Sequence, residues 1–230
     1  MTRGILLFIS TVILFLVFVG YKRMAASTNT QPIPASAQDE PLAQHSSRET
    51  AVFAGGCFWG TQTVFQQVKG VISTTAGYTG GAAETATYSQ VTTETTGHAE
   101  SVEIVFDPSK ITYGTLLRIF FSVAHDPTQL NRQGPDVGTS YRSAIFFTSE
   151  QQHRIAAAYI QQLDSAHAFP SGKIVTQLTA LKAFYKGEDY HQDYAVKNPL
   201  NPYIQVCDVP KTRALKAQFP ELFVEYKRPQ

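Results

Sequence analysis

Between Ala51 and Gly60 the chain reads AVFAGGCFWG, an apolar run that gives way to two glycines, a cysteine and two large aromatics. This pattern predicts a buried strand, a tight turn, and a helix running to about Lys69-Gly70. Gly55 and Gly56 permit backbone conformations closed to other residues, so the turn can be sharp and a ligand can come close to the main chain. Cys57 then falls in the first helical turn, where free N–H groups and the positive end of the helix dipole favour a thiolate and predict a lowered pKa. A lone cysteine is more often a small buried apolar residue. Here the glycines before it and the aromatics after it make poor packing sense unless something approaches the sulfur, and a nucleophilic role for Cys57 follows.

Downstream, apolar residues recur with two periods. Residues 71–78 and the alternating 101–106, closed by Asp107-Pro108, read as strands, as do 141–147 and a stretch near 173–178. Residues 111–124 carry Leu116, Leu117, Phe120, Phe121 and Val123 at helical spacing, with Thr112 as N-cap and Pro127 beyond the end. Ser149 with Gln152 forms a capping box for a second helix whose buried face is marked by Ile155, Tyr159 and Leu163. A last short helix is expected over 211–219, bounded by Pro210 and Pro220. Strands and helices interleave without strict alternation, so the fold class is α+β, a two-layer α/β sandwich. With 230 residues, 43% of them hydrophobic and 16% charged, one such domain plus appendages accounts for the chain.

The appendages lie at the N-terminal side. From Gly4 to Gly20 there is no charge, with Arg3 before the run and Lys22-Arg23 after it. The run is at the short limit for a membrane span and slightly long for a signal-peptide core. Ala35-Ser36-Ala37 offers a small-residue cleavage site far from it, so residues 1–23 read as an N-terminal membrane anchor or signal segment, and the uncleaved anchor is favoured. Arg3 with the amino terminus nearly balances Lys22-Arg23 under the positive-inside rule. The folded domain is placed on the extracytoplasmic side, which is the periplasm in a bacterium. Residues 24–48, rich in Ala, Ser, Thr, Gln and Pro and without an aromatic, predict a disordered tether, and residues 49–230 form the folded domain. The net charge of +1, with no long basic run, excludes an electrostatic nucleic-acid footprint. Cys57 and Cys207 are too few and too distant for a disulfide scaffold or a zinc site. Redox or nucleophilic use fits them better. No metal, nucleotide or flavin motif is present, and no cofactor is expected.

The string GGCFWG, Gly55 to Gly60, is the signature of A-type peptide methionine sulfoxide reductases, and the chain resembles that family from about Glu49 to about Phe223. The resemblance implies a ferredoxin-like core with long loops. It also implies a reaction: thiol-dependent reduction of the S epimer of methionine sulfoxide in proteins, for repair of oxidised proteins, with the free amino acid left open as a second substrate. It carries over residue by residue to Cys57, Phe58 and Trp59 in GCFWG, to Tyr88, to Glu100 in GHAES, and to Asp136 and Tyr141 in GPDVGTSYR. Cys57 is then the nucleophile that ends as a sulfenic acid, and Glu100 is the acid, provided an apolar pocket raises its pKa enough to keep it protonated. Phe58 and Trp59 form a seat for the methyl group. Tyr88 and Tyr141 donate to the sulfoxide oxygen, and Asp136 fixes the substrate amide or a water. Glu188, Tyr190, His191 and Gln192 match a further family string, EDYHQ, and are read as support for the pocket. The implied partners are oxidised proteins or peptides and a thioredoxin-like thiol reductant, and the enzyme is expected to be a monomer.

Taken by themselves, the same residues leave alternatives open. Glu100, just before an alternating strand, has the setting of a solvated loop acid. Tyr88 and Tyr141 have that of edge-packing aromatics, and Asp136 that of a turn cap. Cys57 paired with His98, His125 or His191 would make a thiol hydrolase. The Phe58-Trp59 surface alone would make a peptide-binding module. Cys207 lies in Gln205-Val206-Cys207-Asp208-Val209-Pro210, without glycine and ahead of a helix. A packed thiol is therefore favoured over one that travels to resolve Cys57, because a disulfide needs Cα atoms within about 7 Å.

Overall fold

The computed structural model describes residues 33–226. In chain order these form β1 (Glu49–Gly55), α1 (Phe58–Gln66), β2 (Val71–Thr79), the one-turn α2 (Tyr88–Val91), β3 (Ala99–Phe106) and α3 (Tyr113–Ile119), which continues as a π turn over Phe120–Ala124. Then come the two-residue strands β4 (Arg132–Gln133) and β5 (Asp136–Val137), β6 (Ser143–Phe147), α4 (Glu150–Ser165), β7 (Gln177–Ala180) and β8 (Phe184–Lys186). The short α5 (Tyr194–Lys197), a second π turn over Ile204–Asp208 and α6 (Val209–Gln218) complete them.

Six of the described strands form one sheet in the order β7-β6-β1-β3-β2-β8, while β4 and β5 pair apart from it. β1 runs antiparallel to β3 on one side and to β6 on the other, and β2 closes antiparallel on β3. With α1 after β1 and α3 before β6, this is the β-α-β-β-α-β arrangement of a ferredoxin-like core, the expected α+β sandwich. Side chains alternate across β1 as a pleated strand requires. Ala51 and Phe53 join Val102 and Ile104 of β3 in the main core, whereas Val52 and Ala54 meet Ala99, Ala144 and Phe146 on the opposite face beneath Leu181 and Phe184. Phe53 stacks on Phe120 at 4.8 Å and lies 5.6 Å from Phe65. β1, α1 and the first π turn are thereby fixed to one another at the end of the strand that leads into Cys57.

The caps match expectation. Thr112 accepts from Thr115 N–H at 3.1 Å, and Ser149 from Gln152 N–H at 3.2 Å. The Gln152 side chain returns to Thr148 N–H at 3.0 Å, one residue earlier than a closed box would have it. Several boundaries differ. α1 ends at Gln66 because the chain beyond it pairs elsewhere: Lys69 N–H donates to Leu222 O at 2.7 Å, and Val68 bridges to Phe223. The expected helix over 111–124 changes to π winding at Phe120, and the expected strand at 141–147 starts only at Ser143, after a 3₁₀ turn over Thr139–Tyr141. Pro210 lies inside the first turn of α6, where a missing N–H costs no helical bond.

The tether expectation is corrected for the part that is described. Residues 33–46 lie along the helical layer. Ile33 is buried in the main core, and its carbonyl accepts from Arg118 Nε at 2.9 Å. Tyr159 donates to Pro34 O at 2.6 Å, and Gln162 bonds both Ala35 O and Ala37 N–H at 2.8 Å. Asp39 accepts from Gly114 N–H at 2.9 Å in the first turn of α3, and Ser46 donates to Asp107 at 2.8 Å. Composition suggested disorder because this strap has no apolar period; side chains of α3 and α4 satisfy its backbone instead. The apolar Gly4 to Gly20 run lies outside the described residues. Among those that are described, no helix is long and apolar enough to cross a membrane.

Candidate active site

Cys57 follows directly from the turn that ends β1. It is the N-cap of α1, with φ −52° and ψ 125°, one position before the helical turn in which it was expected. Gly56 has φ 83°, a left-handed conformation, and a Cβ there would lie 2.5 Å from the Gln133 side chain. The close approach that the glycine permits is therefore made by the protein's own β4. Gln133 is held in place by two bonds to the Asp126 backbone, at 3.0 and 3.2 Å.

Glu100, near the start of β3, reaches the same point from the sheet. It is 3% exposed, and its Oε2 accepts at 3.0 Å from the N–H of Phe58, the residue after Cys57. Burial raises its pKa to about 8, helped by the charges of Asp136 and Glu94 and opposed by the Phe58 and Cys57 hydrogen bonds. The same surroundings overturn the expectation of an acidic thiol. Burial first, then the nearby Glu100 and Asp208 carboxylates, push Cys57 well above the ordinary thiol range, while the hydrogen bond from Trp59 N–H opposes them. The helix terminus acts in the expected direction and is outweighed.

Around this pair the chain gathers aromatics. Trp59 is half-buried, stacked on Tyr194 with centroids 3.7 Å apart and planes 9° from parallel, and edge-on to Tyr203 at 5.9 Å. Its indole N–H donates to His191 Nδ1 at 3.1 Å. Phe58 is 1% exposed, packed against Tyr78 and His191, so it backs the site while Trp59 presents the more open ring. Tyr88 and Tyr141 are both half-buried, and each feels the charges of Glu100, Cys57 and Asp136. Asp136 accepts a hydrogen bond from the Tyr203 hydroxyl. All seven residues singled out in the sequence thus lie in one neighbourhood.

The EDYHQ string lies behind them. Glu188 accepts from Tyr88 N–H and from the Tyr78 hydroxyl, each at 2.8 Å, and Gln192 bonds the Ala76 backbone at both N–H and C=O. Tyr190 is exposed and rests on His191. Tyr194, Tyr203 and Asp208 are additions that the sequence did not single out; only Tyr194 had a signal, two residues beyond EDYHQ. Asp208 is fully buried, 3.7 Å from the buried Lys211, and lies so close under α1 that a Cβ on Gly60 would be 2.2 Å from its Oδ1. Of the three candidate histidines, His191 stays at the site, accepting from the Trp59 indole, while His98 and His125 are engaged elsewhere. His125 bonds Phe120 O and the Ser143 hydroxyl, with burial lowering its pKa to about 3. His98 bonds Ala82 O and accepts from Gly81 N–H. The titratable group bound beside Cys57 is the Glu100 carboxyl, which argues against the Cys–His hydrolase reading.

The site thus sets a buried cysteine beside a buried carboxyl, walled by aromatics and hydroxyls, on a ferredoxin-like sheet. The family model for peptide methionine sulfoxide reductase matches residues 49–222. Peptide methionine sulfoxide reductase MsrA 2 of Mesorhizobium japonicum is 57% identical over 187 residues, covering 81% of this chain and 94% of that protein. Among solved structures, reduced Mxr1 of Saccharomyces cerevisiae is 30% identical at a TM-score of 0.62, covering 74% of this chain and 94% of that one. Methionine sulfoxide reductase A of Corynebacterium diphtheriae is 34% identical at a TM-score of 0.58, covering 77% and 90%. The chain belongs to the peptide methionine sulfoxide reductase family, of the A type, and is a peptide-methionine (S)-S-oxide reductase that serves protein repair.

Proposed function

We propose that Cys57 takes the sulfoxide oxygen as a sulfenic acid with Glu100 as the proton donor. One observation carries this: the buried Glu100 carboxyl, with its pKa raised to about 8, accepts from Phe58 N–H at 3.0 Å, so at neutral pH an acid stands beside Cys57. Glu100 delivers its proton to the sulfoxide oxygen as the Cys57 sulfur attacks, and the thiol proton returns to the Glu100 carboxylate. The substrate S–O bond breaks, methionine leaves, and the oxygen with one proton stays on Cys57. Thiol plus sulfoxide gives sulfenic acid plus thioether, with no net proton change. Tyr88 and Tyr141 donate to the oxygen as charge develops on it, Trp59 backed by Phe58 seats the methyl group, and Asp136, held by Tyr203, fixes the substrate amide. Protein-bound methionine sulfoxide meets all of these requirements, the free amino acid all but the amide.

Two external thiols restore the enzyme: the first condenses with the sulfenic acid and releases water, and the second displaces it as a disulfide. A thioredoxin-like dithiol is the assigned reductant, acting directly on Cys57 of a monomer. Cys207 is buried within the second π turn, in keeping with a packed thiol. The uncharged Gly4 to Gly20 run supports attachment to a membrane, and the domain is assigned to the extracytoplasmic side, which protease accessibility in intact cells tests. The chemistry is tested by incubating the protein with a methionine sulfoxide peptide and following product mass. Continuous turnover is expected with dithiothreitol, and product that stops near one equivalent per enzyme without it. Sustained turnover in the absence of any thiol would refute the proposal.

A further inference from the structure

Glu94 follows α2 in a conformation that calls for an explanation. Its φ is 62°, left-handed, where residues with a side chain are uncommon. Its carboxylate is fully occupied: Oε2 accepts from Ser140 N–H at 2.8 Å and from the Thr139 hydroxyl at 3.0 Å, and Oε1 accepts from the Ser140 hydroxyl at 2.6 Å. The match is tight, since a Cβ on Gly138 would lie 2.3 Å from Glu94 Cδ. Arg142 holds the same turn from its other end, donating to Thr139 O at 2.8 Å, His98 O at 3.1 Å and Gly97 O at 2.9 Å. The 139–141 turn is thereby bound to the segment that leads into Glu100. Tyr141 is part of that turn, and Asp136 precedes it through Gly138.

We propose that Glu94 is a positioning residue of the reductase: its carboxylate holds the 139–141 turn in the register that brings Tyr141 and Asp136 to Cys57 and Glu100. This rests on the substrate-binding roles given above to Tyr141 and Asp136. Two features separate it from a purely structural role. Glycine at position 94 would meet the backbone demand without strain, so the fold alone gives no reason for a carboxylate there. The groups it binds, moreover, are the polar donors of one turn, half-buried Thr139 and buried Ser140, and not part of the apolar core.

The test compares Glu94→Gly, Glu94→Gln and Tyr141→Phe, singly and with Glu94→Gly combined with Tyr141→Phe, by steady-state kinetics on a methionine sulfoxide peptide and by thermal melting. Glu94→Gly relieves the left-handed backbone, so the melting temperature is expected to hold. Its kcat/KM is expected to fall by roughly tenfold to a hundredfold, mainly in kcat, as displacing a group in a catalytic site does. Glu94→Gln, which keeps one acceptor oxygen, recovers part of that loss. With Tyr141→Phe already present, Glu94→Gly should add no more than about twofold, because coupled residues are not additive. Unchanged kinetics in Glu94→Gly, or an equal loss in both backgrounds, would overturn the proposal. A silent Tyr141→Phe would overturn it by a different route, removing the role of Tyr141 itself, and that single variant tells the two failures apart.

Discussion

At Glu100 and Cys57 burial decides the protonation state: the carboxyl is pushed up to about 8 and the thiol well above its ordinary range, so both hold their protons at neutral pH. The reductive step should therefore fall as Glu100 ionises, reaching half its low-pH rate near pH 8, which single-turnover kinetics across pH measure. Glu100→Gln is expected to slow that step by roughly a hundred- to ten-thousandfold, the usual worth of a general acid, and to abolish the alkaline fall. Stability follows with a definite sign. The folded state keeps a proton on Glu100 that the unfolded chain releases near 4.5, so this group's contribution declines as pH rises from 4.5 toward 8, and Glu100→Gln should flatten that slope. Asp208, raised to about 6, acts in the same direction. In the free enzyme, alkylation of Cys57 should titrate above the ordinary thiol value. The sequence showed the thiol and the helix start beside it, and so gave the opposite direction. It could not show that Glu100 and Asp208, distant along the chain, converge on the same sulfur.

At the scale of elements, what was legible was whatever is local. Thr112 and Ser149 announced their helices because an N-cap needs only a hydroxyl and an N–H three residues on. The strands of the core showed as apolar runs or alternations, and GGCFWG placed the turn to α1. The strap over 33–46 was not legible, because its anchors are the side chains of Arg118, Tyr159 and Gln162 and the start of α3, none of which its own composition reflects. The break of α3 into a π turn was equally hidden, since Phe120 to Ala124 continue a helical apolar spacing. A chain starting at Ile33 should melt like the full protein, while one starting at Arg48 should melt lower, by about 2–4 °C for each kcal/mol that the strap supplies. Equal melting temperatures would mean that the strap contributes nothing to the fold. Asp39→Ala alone should cost ~1 kcal/mol through the bond to Gly114 N–H, read from denaturant unfolding.

Across the whole molecule, the ferredoxin-like sheet brings Cys57 from the end of β1, Glu100 from β3 and Tyr141 from the turn before β6 to one place, while segments near the C-terminal end add His191, Tyr194, Tyr203 and Asp208 around them. Cys207 belongs to the same C-terminal wall, buried between Tyr203 and the Asp208–Lys211 pair, with its pKa raised to about 11 by burial and by Asp208. Cys207→Ser is expected to keep most of its thioredoxin-supported turnover; loss of cycling with an intact first turnover would instead make Cys207 the resolving thiol. The central claim, that the oxygen passes to Cys57, is tested most directly by one turnover without reductant on a methionine sulfoxide peptide, followed by dimedone trapping and peptide mass mapping. The expected result is about one equivalent of methionine peptide per enzyme with the adduct on Cys57 and none in Cys57→Ser. Product formed in equal yield by Cys57→Ser, or product without any oxidised form of Cys57, would contradict it.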